Sequence, residues 1–120
     1  MTIASTNASE RKPTLFRTVQ FIEQLREIFP DIPMQTISVF LIIAMKPGLY
    51  QRDLLKLVDL SQAGVSRNVM ALGEVNRHGK PGLGLISQQR DPFDNRQVRL
   101  CLTAAGTALV ERVIATVREA

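Results

Sequence analysis

The chain has 120 residues, 45% hydrophobic and 22% charged, with a net charge of +4 and a single cysteine. That length predicts one domain, and the apolar fraction excludes a disordered chain. Cys101 alone excludes an internal disulfide, and the polar run 1–13 lacks an apolar export core, so a cytoplasmic protein is expected.

Residues 1–12 read as a flexible N-terminal arm ahead of a domain over 13–120. Leu15, Val19, Ile22, Leu25 and Phe29 recur at helical spacing and predict a helix over 14–29, which Pro30 ends. Pro33 suits the first turn of a second helix, in which positions 34–45 leave almost no polar face. A helix apolar all round is a buried one, and its core, 37–45, falls far short of the roughly 20 residues a membrane span needs. Lys46-Pro47-Gly48 stops it. A strand near 48–50, a third helix over 50–58, a turn at Asp59-Leu60 and a fourth helix over 62–74 follow. Ser61 is placed to cap the fourth helix with its hydroxyl. Val65, Val69 and Leu72 line one face of it, while Gln62, Ala63, Ser66 and Arg67 look away.

Residues 84–103 then read as two strands joined by a turn. Asp91-Pro92 and Asp94-Asn95 carry turn chemistry, and Val98, Leu100 and Leu102 alternate with Gln97, Arg99 and Cys101. Thr103 is set to cap a final helix reaching 118. The predicted fold class is mainly α with a small β-hairpin, α+β in type.

Charge gathers at one place. Six cations and three anions fall in 61–100, so +3 of the net +4 lies around the helix pair and the hairpin. A short turn between two helices can present the second to a major groove with its N-terminal residues at base edges. Gln there can pair with adenine, Arg with guanine, and Ala can meet the thymine methyl. Gln62, Ala63, Ser66 and Arg67 are therefore candidate reading residues. Arg96, within reach of Asp94 in the turn, is a candidate for a minor groove, whose negative potential favours Arg. Ser61, Asn68, Arg52, Arg77 and Arg99 are candidates for phosphate contacts. An ordinary helical hairpin carrying a surface ion pair is the plainer alternative for these features taken singly.

Residues 34–110 resemble the winged helix-turn-helix domain of the MarR family of bacterial transcription regulators. The resemblance rests on Leu60-Ser61-Gln62-Ala63-Gly64-Val65-Ser66-Arg67 and on Asp91-Pro92-Phe93-Asp94-Asn95-Arg96 followed by Leu102-Thr103-Ala104-Ala105-Gly106. It implies a homodimer on a pseudo-palindromic operator of double-stranded DNA, with recognition helices in major grooves and wings in minor grooves, acting as a repressor. It carries over Ser61, Gln62, Ser66, Arg67 and Asn68 in the recognition helix, and Asp94 with Arg96 in the wing. The helices 14–29 and 104–118 are the expected dimerisation platform, one C-terminal helix standing where the family commonly has two. Many members release DNA on binding a small molecule or on cysteine oxidation, but Cys101 lies outside the N-terminal region where the family places its sensor.

Neither a Gly-rich phosphate loop nor a serine elbow is present, so no enzyme and no cofactor are expected. His78 is the one histidine, which leaves no metal-ligand cluster to propose. The rival to a DNA-binding regulator is a winged-helix module that binds another protein. The polar face at Gln62, Ser66 and Arg67 suits DNA better than a dry protein interface.

Overall fold

The computed structural model describes residues 8–74, 79–94 and 96–118. Their order is α1 (Ala8–Ile28), α2 (Met34–Met45), β1 (Leu49–Tyr50), α3 (Gln51–Leu54), α4 (Gln62–Leu72), β2 (Ile86–Arg90), β3 (Val98–Leu102) and α5 (Ala104–Arg118). No helix among the described residues is long and apolar enough to cross a membrane.

Where one domain is expected over 13–120, the chain divides into two compact units. One holds the described parts of Met1–Ile32 and Glu111–Ala120, and the other is Pro33–Val110. In the first unit, Leu25 and Val113 are buried, and the Gln24 side-chain amide donates to the Thr116 hydroxyl at 2.8 Å. Helix α1 covers Ala8–Ile28, so 8–12 are helical rather than part of a loose arm, and the rest of the expected arm, 1–7, lies outside the described residues. Proline favours a helix start and costs an interior position about 3 kcal/mol, yet Pro13 is accommodated. Here it lies inside the helix. Just beyond it, the Thr14 and Thr18 hydroxyls each donate to the carbonyl four residues back, at 2.9 Å.

The second unit carries the expected helix-turn-helix and hairpin. Its buried side chains include Val39, Phe40 and Ile43 from α2, Leu54 from α3, Val65, Val69 and Leu72 from α4, and Ile86 and Leu100 from the sheet. Pro33 caps α2 from an extended backbone rather than entering its first turn. The expectation that α2 is wholly buried is also corrected, because Met34 and Met45 at its ends are open to solvent. The third helix is shorter than expected. It covers only Gln51–Leu54, since Leu49 and Tyr50 are drawn into the sheet and a turn follows.

The sheet has the order β1-β3-β2 and is antiparallel throughout. Leu49 pairs with Leu100 and Tyr50 with Arg99, while Gln89 on the other side also faces Arg99. The strand at 48–50 therefore closes against the hairpin, as expected. Between α4 and β2, the N–H groups of 82–85 donate back to the carbonyls of 71–74, so the end of α4 is satisfied by the chain that leaves it. Thr103 anchors the other end of the hairpin. Its hydroxyl donates to the Gly84 carbonyl at 2.7 Å and accepts from the Gly106 N–H at 3.0 Å, capping α5. A Cβ at Gly106 would collide with the Leu85 carbonyl oxygen, which explains a glycine at the third position after Thr103.

Candidate nucleic-acid interface

Helix α4 is fixed at its start by Ser61, whose hydroxyl accepts from the Gly64 N–H at 3.0 Å. Gly64, Val65, Asn68, Val69 and Leu72 are buried, so the outward positions are Gln62, Ala63 and Arg67, with Ser66 half-buried. Arg67 has no ion-pair partner among the described residues. The four reading candidates therefore share an accessible side.

Asn68 does not join them. It is 7% exposed, accepts from the Thr36 hydroxyl at 2.6 Å, and donates to the Gly64 carbonyl at 2.8 Å and to Gln35 at 3.3 Å. Its amide ties α4 to α2 and is unavailable to a phosphate. A buried, hydrogen-bonded amide looks the same in sequence as an exposed one.

The wing turn is built on two aspartates with separate tasks. Asp94 holds Arg96 through the guanidinium, Nε to Oδ1 at 3.1 Å and Nη2 to Oδ2 at 3.3 Å, and also accepts from the Arg96 backbone N–H at 3.1 Å. The Arg96 side chain stays 86% exposed, so it is aimed without being covered. Hydrogen bonding from Arg96 holds the Asp94 carboxyl below its ordinary range.

Asp91 is the residue whose importance the sequence concealed. It is 8% exposed and accepts from the Tyr50 hydroxyl at 2.6 Å and the Phe93 N–H at 2.8 Å. Those bonds, the Tyr50 one foremost, lower its pKa, and the same bond raises that of Tyr50. Arg99 completes the cluster. It donates to the Tyr50 hydroxyl at 2.6 Å and to the Gly48 carbonyl at 3.1 Å, and its guanidinium lies 4.3 Å from the ring centroid. Its charge is thus engaged with β1 and, at 3.8 Å, with Asp91, while its side chain stays 44% exposed and keeps N–H donors open to solvent, so the phosphate-contact reading of Arg99 stands beside a structural role. The alternation of 97–102 marked Arg99 as outward, but the Tyr50–Arg99 pairing needed the register of β1.

Arg52 remains exposed, 3.9 Å from Asp53, with its guanidinium over the Tyr50 ring at 5.1 Å from the centroid. A cleft of about 200 Å³ is lined by Arg52 and Gln51 of α3, Gln62 of α4, and Arg96 and Gln97 of the wing. It brings the predicted reading helix, wing arginine and one phosphate candidate to a common surface. Arg77, His78 and Asn95 lie outside the described residues. No group of metal-ligating side chains occurs among the described residues.

Solved structures share this architecture. Wild-type MarR from E. coli, in its apo form, is 19% identical and superposes with a TM-score of 0.63, over 98% of this chain and 80% of the other. CouR, a transcriptional repressor bound to a 23-mer DNA duplex, is 22% identical at a TM-score of 0.63, over 92% of this chain and 71% of its own. The chain has the MarR winged-helix fold. The PcaV transcriptional regulator of Streptomyces coelicolor, in complex with its natural ligand, is 24% identical at a TM-score of 0.59, over 96% of this chain and 78% of that one. No family model matches the sequence, and no curated protein does. In the MarR fold, α4 is the second helix of the helix-turn-helix and the β2–β3 hairpin is the wing.

Proposed function

We propose that this chain is a sequence-specific double-stranded DNA-binding transcription regulator, acting as a homodimeric repressor that covers a pseudo-palindromic operator. The observation that carries the reading is the common surface formed by Gln62 of α4, Arg52 and the braced Arg96 of the wing. Arg67 and Gln62 read base edges in the major groove, Arg96 enters the flanking minor groove, and Arg52 and Ser61 hold phosphates. A structural neighbour bound to a DNA duplex supports the same use of the fold.

Selection of binding sites from random duplexes at physiological salt tests the proposal. Enriched sites with two half-sites about one helical turn apart are the expected result. Absence of enrichment, with retention of a protein partner instead, would favour the interaction-module reading.

A further inference from the structure

The wing ends in an aromatic side chain that the roles above leave unused. Phe93 is 97% exposed at the hairpin tip. Its backbone is not loose. The Phe93 N–H donates to Asp91, the Asp91 N–H donates to the Gln97 carbonyl at 3.0 Å, and the Gln97 N–H donates to the Asp94 carbonyl at 2.9 Å. Asp91 is itself anchored by Tyr50. These bonds hold the Phe93 backbone with its ring out in water, three residues before the arginine braced by Asp94.

Building on the DNA-binding reading, we propose that Phe93 is an apolar wedge that enters the minor groove beside Arg96, partly unstacks one base step and kinks the operator there. Three observations favour a base step over a protein surface. The described side chains that flank the tip at the surface are charged (Arg90 before it, Asp94 and Arg96 after it), which does not suit the apolar core of a protein interface. The one apolar residue next to Phe93 in sequence is Pro92, also exposed, so the apolar surface offered here is two side chains wide. The adjacent Arg96 supplies attraction to the groove, while an inserted Phe or Pro is a known means of opening a base step. The wedge adds selectivity for sites with a flexible pyrimidine–purine step, TA or CA/TG, at the wing position.

The test uses the full chain and a duplex selected by it, with 2-aminopurine at the wing-side step and dyes at the two ends. On binding, the wild type should raise 2-aminopurine fluorescence and shorten the end-to-end distance, as a kink of about 20–90° requires. Phe93→Ala should lose both signals and bind about tenfold more weakly. Its thermal midpoint should be unchanged, because the ring is solvent-exposed. The salt dependence of its binding should keep the wild-type slope, whereas Arg96→Ala should reduce that slope by about 1. Phe93→Leu should retain most of the unstacking. A wild-type complex with a straight, stacked duplex would overturn the wedge and leave the regulator intact. So would a Phe93→Ala protein that matches the wild type on DNA, or one whose only change is weaker self-association in sedimentation. Failure of the wild type to bind any duplex would overturn both.

Discussion

Arg67 and Asn68 are adjacent in sequence and separated in role by the rotation of about 100° between successive helical residues. Arg67 points to solvent, whereas Asn68 is locked to Thr36, Gln35 and Gly64. Arg67→Ala should therefore leave the folded state intact and relax preference at one or two base pairs by about 1–3 kcal/mol, measured across single-base variants of the operator. Asn68→Ala should do the reverse, lowering stability by about 1–3 kcal/mol as the Thr36 hydroxyl loses its acceptor, with no base-specific change. A uniform affinity loss for Arg67→Ala would make it a phosphate contact. The aspartates make a second prediction, in pH. Asp91 and Asp94 have folded-state pKa values below their unfolded ones, so the stability they add is present above about pH 4 and is lost as pH falls through the depressed values. Tyr50 is raised, so its share is present below about pH 10 and is lost as pH climbs through its folded value. Urea midpoints should be level between these limits and fall on both sides. Asp91→Asn should lower the plateau and flatten the acid limb. An acid limb of undiminished slope in that variant would show that Asp91 does not carry it.

The hairpin is a reading element only if both of its ends are held. The tip is held by Asp91, and the base is held where Thr103 and Gly106 meet Gly84 and Leu85. Gly106→Ala should force the start of α5 away from the Leu85 carbonyl. The expected result is a loss of about 1–3 kcal/mol in denaturant unfolding, together with weaker wing-dependent binding. A fully stable Gly106→Ala protein would mean that the backbone there yields freely. Element order was legible in the sequence because its signals are local. Ser61 and Thr103 announced their helices by capping chemistry, and Val98, Leu100 and Leu102 announced a strand by alternation. The boundaries were less legible where tertiary contact overrides propensity. Tyr50 reads as the start of a helix, yet pairing with Arg99 places it in β1 and leaves α3 only four residues. The same pairing assembles Tyr50, Asp91 and Arg99, which are 41 or more residues apart between Tyr50 and the wing and share no sequence motif. The Asp94–Arg96 pair was legible because two residues of separation place them in one turn.

At the scale of the whole molecule, the first unit presents more apolar surface than a single chain uses. Leu15, Phe16, Val19 and Ile22 of α1 are all exposed, Phe16 by 62%, and Ile114 and Val117 near the end of α5 are exposed as well. Positions 15, 19 and 22 follow helical spacing, so the stripe runs along one side of α1. A core helix would have buried these side chains within its own chain. Their exposure fits the proposed homodimer, in which a second copy removes the stripe from water at about 25 cal/mol per Å² of apolar area. In the proposed homodimer two α4 helices joined in this way would bind two half-sites as one event, which can raise affinity by about 10²–10⁴-fold over a single half-site. Val19→Glu places a charge in the middle of the stripe without touching Leu25, the buried residue of α1. It should convert the protein to a monomer in sedimentation equilibrium while circular dichroism reports an unchanged helix content. Operator affinity should fall by up to that factor, whereas affinity for an isolated half-site should stay near the wild-type value. If Val19→Glu remains dimeric at micromolar concentration, the α1 stripe is not the dimer contact. If it becomes monomeric and still binds the full operator with wild-type affinity, the two half-sites are not read as a linked pair.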